Sequence, residues 1–213
     1  MTSPVSRIAC STWLAGLASA ALLAGLASAA LLAGCASASR HQADAAVAGQ
    51  VGSPWLALAP SALGCAAAVQ QRLTVQPPGQ SPKELDALLE IDAGSMRLAI
   101  LNLGQMVGTL DWNGTKLDPQ LSRWWPAVLK PEQVLSDVQL AFWPEAEIAR
   151  ALPAQWTLDA TPKERVLKYA GAERVKVRFL DASALEVVYP QGNWSLRIDT
   201  PGGADLCSNN AGL

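Results

Sequence analysis

Histidine is nearly absent: the single copy, His41, stands close to the N-terminus and outside every segment that shows strand or helix periodicity. No Ser-His-Asp or Cys-His arrangement can therefore be built in the folded part of the chain, and zinc sites of the His and Cys type fail for the same reason. Charge is scarce at the start. Arg7 is the only charged residue before Arg40 and all 18 acidic residues come later. The mildly acidic remainder has no basic stripe, which argues against nucleic acid as a partner. Glycines such as Gly202-Gly203 lack the spacing of a phosphate loop. Glu84, Asp86, Glu90 and Asp92 recur at period two and read as a solvated strand face, not as paired catalytic carboxylates. No catalytic residue, metal site or cofactor is expected, and the chain does not read as an enzyme.

Long apolar runs are confined to one place. Ile8 to Ala33 is almost entirely Ala, Leu, Gly and Ser, longer than the roughly 7–15 residues of a signal core and long enough to span a bilayer, which takes about 20. The excess length comes from a duplication. Leu14-Ala-Gly-Leu-Ala-Ser-Ala-Ala-Leu22 recurs unchanged as Leu23 to Leu31, followed by Leu32-Ala33-Gly34-Cys35. This last tetrapeptide resembles the lipobox of bacterial lipoproteins, in which the cysteine becomes linked to diacylglycerol. The resemblance implies lipidation at Cys35 after removal of residues 1–34. Ala36 in the next position implies an outer-membrane anchor with the protein facing the periplasm. Two or three acyl chains hold a protein to a bilayer essentially permanently. Residues 35–54, rich in Ala, Ser, Gln and Gly without periodicity, read as a flexible tether, and 55–213 as one domain. Cys10 falls in the removed segment. Cys65 and Cys207 either pair or stay free, depending on whether folding brings their Cα atoms to roughly 6 Å.

Within the domain the apolar residues alternate. Leu85, Ala87, Leu89 and Ile91 precede the turn Ala93-Gly94-Ser95, and Met96, Leu98 and Ile100 follow it, which predicts a hairpin with one buried face. Val69 to Gln76, Val107 to Trp112, the Val175, Val177 and Phe179 set, and the Trp194, Leu196 and Ile198 set show the same period. Between them, Pro131 to Trp143 places Val134, Leu135, Val138, Ala141 and Phe142 on one helical stripe, while Leu140 and Trp143 fall on the opposite face. A second short helix is predicted from Glu145 to Leu152, ended by Pro153. Trp124, Trp125, Trp143 and Trp156 bracket this helical region, either as core filling or as the lining of an apolar pocket.

The expected fold is mainly β with a helical insertion (α+β). It is a curved antiparallel sheet of about eight to eleven short strands, a half-open β-barrel covered by one or two helices. Such a sheet either fills its interior or encloses a cavity. The cavity candidates are Leu89, Ile91, Leu98, Ile100, Val138, Phe142, Val177, Phe179, Leu196 and Ile198.

Signal, tether, sheet and helical insertion together resemble the LolB and LolA group of lipoprotein carriers. The run Pro131-Glu-Gln-Val-Leu-Ser-Asp-Val-Gln-Leu-Ala-Phe-Trp143-Pro-Glu-Ala-Glu-Ile-Ala-Arg-Ala-Leu-Pro153 resembles more closely a bacterial lipoprotein family of unknown function (DUF 3261), whose members are often encoded beside fatty-acid-type and aryl-polyene synthesis genes. The likeness covers roughly Leu63 to Ile198. Asn102-Leu103-Gly104 is similar to the Asn-Pro-Leu-Gly loop of LolB-like chains, without its proline. That similarity implies membrane contact through Leu103, with Met106 beside it. The partners implied are the outer membrane, a lipid or lipoprotein cargo and a LolA-like periplasmic donor, served by a monomer. The other reading is a structural or assembly lipoprotein of the envelope with a filled core and no ligand.

Overall fold

A computed structural model describes residues 52–126 and 129–208. The segment read above as a signal, Cys35, His41 and nearly all of the segment read as a tether lie outside the described residues.

Ten strands form one antiparallel sheet. They are β1 (Ala67–Gln76), β2 (Lys83–Ile91), β3 (Met96–Asn102), β4 (Gln105–Trp112), β5 (Leu117–Leu121), β6 (Trp156–Thr161), β7 (Glu164–Tyr169), β8 (Ala172–Phe179), β9 (Ala184–Tyr189) and β10 (Trp194–Asp199). Their spatial order is β5-β4-β3-β2-β1-β10-β9-β8-β7-β6. Two five-strand meanders thus meet where β1 pairs with β10, with Leu73 opposite Ile198. The sheet is curved and unclosed, with β5 and β6 at its two edges.

This order dictates where the helices go. The chain ends its first meander at one edge and begins its second at the other, so the connection from β5 to β6 has to cross a face of the sheet. Helices α1 (Pro131–Phe142) and α2 (Glu145–Ala151) are that connection. Proline at the first position of α1 gives up no intrahelical bond, and Pro144 follows directly after the last turn. Every residue from Leu135 to Ala141 is buried, the polar Ser136, Asp137 and Gln139 included. A helix buried all round is a core element, not a surface cover. That accounts for Leu140 and Trp143, both without exposure although they sit off the apolar stripe.

The polar residues of α1 bind the incoming chain. From Pro54 to Pro60 burial alternates residue by residue, the pattern of an extended segment with one inward face. The Leu56 N–H donates to Ser136 Oγ at 3.0 Å and the Leu58 N–H to Gln139 Oε1 at 3.1 Å. Gln139 Nε2 returns a bond to the Leu58 carbonyl at 3.0 Å, which also accepts from Trp112 Nε1 at 2.8 Å. Trp143 Nε1 donates to the Ala59 carbonyl at 3.0 Å. Side chains thus supply the hydrogen-bond partners that a neighbouring strand would otherwise provide. Just beyond, Cys65 and Cys207 form a disulfide with Cα atoms 5.6 Å apart, closing the ends of the domain on each other.

Of the ten strands, β5, β6, β7 and β9 are not singled out by the sequence alternation. They are five or six residues long, and β5 contains Pro119 and is almost wholly exposed, as suits an edge.

Replacing Gln139 with Leu leaves the Leu58 N–H buried without an acceptor, at a cost of about 1–3 kcal/mol. Urea unfolding should show a lower midpoint with an unchanged slope. An unaltered midpoint would mean that the incoming segment is not held this way.

Candidate functional site

The interior is filled at one end and open at the other. At the filled end Leu56, Leu89, Leu110, Trp143 and Val177 have no solvent exposure, and Trp112 packs edge-on against Trp55 with ring centroids 5.8 Å apart. At the open end the β1–β2 turn, the β3–β4 hairpin, the start of β10 and the segment between β5 and α1 converge on a cavity of about 690 Å³. Val75, Leu85, Val107, Trp124, Leu129 and Trp194 supply its apolar wall, with Gln80, Lys83, Asn102 and Gln133 also lining it. The volume falls within the roughly 300–1,000 Å³ typical of small-molecule sites. The cavity narrows to a void of about 40 Å³, and Val75, Leu85, Leu129 and Trp194 line both spaces.

The residues expected to line a cavity do so only in part. Leu98, Ile100, Val138, Leu196 and Ile198 surround the narrow void. Leu89 and Val177 belong to the same buried core as most of these but line neither space, and Phe142 and Phe179 pack partly buried against it. Ile91 borders a separate shallow depression together with Glu90, Asp92 and Arg97. Alternation identifies the inward side chains of the strands it marks, but packing density decides which of them face empty space.

Two glycines let Trp125 and the lining residue Trp194 stand where they do. A Cβ on Gly108 would come within 2.8 Å of the Trp125 ring and within 3.1 Å of the Gln120 carbonyl. Glycine there allows Trp125 to lie against β4, from where its Nε1 donates to the Leu129 carbonyl at 2.7 Å. On the other side, a Cβ on Gly192 would meet Trp194 at 2.7 Å, and Trp194 stacks on Tyr189 at 4.2 Å with the rings 7° from parallel.

Near the mouth, apolar side chains face solvent. Leu103 is 94 % exposed, and Met106, Leu121 and Trp124 are also exposed. Leu103 and Gly104 are both in the left-handed region, at φ 50° and 76°, the geometry of a primed two-residue hairpin turn. A leucine there is strained by roughly 1–2 kcal/mol, and an exposed leucine recovers nothing through packing.

The sequence matches over residues 68–201 the family described as "Protein of unknown function (DUF3261)". The chain belongs to this family. Among solved structures, this DUF3261 protein is similar to a LolA superfamily protein, NE2245, from Nitrosomonas europaea, with 10% identity and a TM-score of 0.37 over 75% of this chain and 90% of that one. No curated protein matches it. Among the described residues no helix is long and apolar enough to cross a membrane, and no group of acidic, histidine or cysteine side chains is placed to hold a metal ion.

One polar residue of this DUF3261 site escapes a reading based on apolar periodicity. Asp137 of α1 is buried and lines the narrow void. Its Oδ1 accepts a hydrogen bond from the Tyr189 hydroxyl. Desolvation pushes the carboxyl up from its ordinary 3.8 to about 7, opposed in part by the Tyr189 bond, and burial likewise raises the Tyr189 phenol. The sequence signal was an acid in the middle of an otherwise buried helix.

The unfolded chain loses the Asp137 proton near pH 3.8, whereas the folded chain keeps it to about pH 7. Stability should therefore fall as pH rises through that window, by up to about 1.4 kcal/mol per pH unit. Asp92 and Asp181, whose pKa values are lowered by hydrogen bonds, act at the acid end below the window. Asp137→Asn should flatten the slope between pH 4 and 7 in denaturant titrations. A variant with the wild-type slope would exclude this carboxyl as its source.

Proposed function

We propose that this protein is an outer-membrane lipoprotein, anchored through Cys35 and facing the periplasm, whose domain binds or transfers an acyl-chain-bearing cargo, either a lipoprotein or a lipid or polyene. It acts without catalysis. The observation that carries this reading is the cavity of about 690 Å³ with a largely apolar wall, open at one end of the half-barrel. Burying 12 to 16 methylenes at about 0.8 kcal/mol each supplies a gross 10–13 kcal/mol. Ordering of chain and protein consumes much of that, so release remains feasible.

Leu103 supports a role for the same end of the molecule at the membrane. Its strained backbone and almost complete exposure suit a side chain that finds its apolar environment outside the protein. Trp124, with Arg123 over its ring at 4.6 Å, is the combination of aromatic and cation that favours a bilayer interface. Cargo would then pass between membrane and cavity without crossing the filled end.

A second reading, a structural envelope lipoprotein, draws on the filled end, where Val175, Leu185 and Val187 have no exposure. Titration of the protein, released from its acyl anchor, with a fluorescent hexadecanol, which carries no charge, separates the two. Saturable binding is expected, reduced at least tenfold by Leu85→Gln, whereas Leu103→Asp should leave affinity unchanged but slow delivery to phospholipid vesicles. Absence of saturable binding leaves only the structural role.

A further inference from the structure

The narrow end of the cavity has a polar floor that a hydrocarbon tail does not need. Among its mainly aliphatic lining residues stand Gln71 and Asp137, 2 % and 3 % exposed. Gln71 uses its amide nitrogen on Thr200 Oγ1 at 3.1 Å. Asp137 engages Tyr189 through Oδ1, and no described residue hydrogen-bonds Oδ2. An aliphatic residue in place of Asp137 would leave Gln71, already bonded to Thr200, as the other polar group named in the floor. The chain instead holds a carboxyl there, desolvated and facing the void.

We propose that the cavity takes its ligand head-first: a single-chain amphiphile whose uncharged hydrogen-bonding group, such as a hydroxyl, is seated against Asp137 Oδ2, with the hydrocarbon running back toward Trp124. This rests on the cavity being the cargo site and specifies which class of molecule fits it. A methyl terminus placed against Asp137 leaves a buried polar atom unpaired, whereas a hydroxyl pairs with it. The raised pKa of Asp137 supports the choice of an uncharged group. A neutral carboxyl presents both a donor and an acceptor, while an anionic head would face an acid in a desolvated site. The void of about 40 Å³ accommodates a small terminal group, being larger than the 10–15 Å³ that one water needs. The wider cavity beyond it accommodates the chain.

The direction of insertion can be mapped with the full chain in phospholipid nanodiscs and two photoreactive hexadecanols, one carrying a diazirine beside the hydroxyl and the other at the far end. The expected result is cross-linking of the hydroxyl-end probe to Leu98, Val134, Val138 or Ile198 and of the far-end probe to Pro78 or Trp124. Asp137→Leu should reduce hydroxyl-end labelling at least tenfold, and Asp137→Asn, which keeps an uncharged hydrogen-bonding group, less than about threefold. The reverse pattern in the wild-type chain, with the far end labelling the narrow void, overturns head-first binding while leaving the cavity as the cargo site. Wild-type labelling by Asp137→Leu overturns the role of the carboxyl alone. Failure of both probes to label any cavity residue removes the cargo site itself, and this inference with it.

Discussion

The hydrogen bonds between helix α1 and the incoming segment are the constraint on which the rest of the architecture depends. A sheet whose first meander ends at one edge and whose second begins at the other leaves its concave side to be filled by the connection between them. That connection is one helix of twelve residues and one of seven, too little to occupy the whole hollow. Leu56 and Leu58 fill the remainder of one end, and their backbone becomes tolerable in that interior because Ser136 and Gln139 pair with it. Unpaired, those peptide groups would oppose burial by about as much as the leucines favour it. The disulfide from Cys65 to Cys207 then ties the start of the domain to its end across a separation of 142 residues.

Filling one end in this way leaves the other open. Tryptophan serves both ends, for different physical reasons. At the filled end Trp112 and Trp143 contribute volume and direct their indole N–H groups to the carbonyls of Leu58 and Ala59. At the open end Trp194 is held flat on Tyr189 and forms a wall of the cavity, while Trp125, next in the chain to the lining residue Trp124, lies against glycine-bearing β4. Large rigid side chains fixed from behind keep a hollow from collapsing, which flexible aliphatic residues do poorly. The exposed apolar residues Leu103, Met106, Leu121 and Trp124 belong to the strands and turns that frame this mouth.

Asp137 links the two themes. It belongs to the same buried helix, its bond to Tyr189 ties α1 to β9, and it reaches the void between the packed and hollow halves. A carboxyl in that position opposes stability at neutral pH unless it keeps its proton. Unlike Ser136 and Gln139, it does not bond the incoming segment, and it borders the void.

The alternation of Leu85 to Ile91, Met96 to Ile100 and Trp194 to Ile198 was sufficient to establish an antiparallel sheet, because a strand with one dry face must repeat every two residues. Pro131 and Pro144 likewise bounded the helix, since backbone chemistry acts locally. The short strands β5 and β6 were illegible, because an edge strand carries little apolar pattern. Nor did the pattern separate Leu98 and Ile198, which border empty space, from Leu89 and Val177, which do not: all four point inward, and only the three-dimensional sum of their neighbours' volumes leaves room beside one pair. The tasks of Ser136, Asp137 and Gln139 were hidden for the same reason, their partners lying 52 to 81 residues away along the chain. Sequence by itself determined which residues turn inward on the strands with a clear alternation. The tertiary structure alone decided where the inside is full and where it stays hollow, because a void depends on every wall at once.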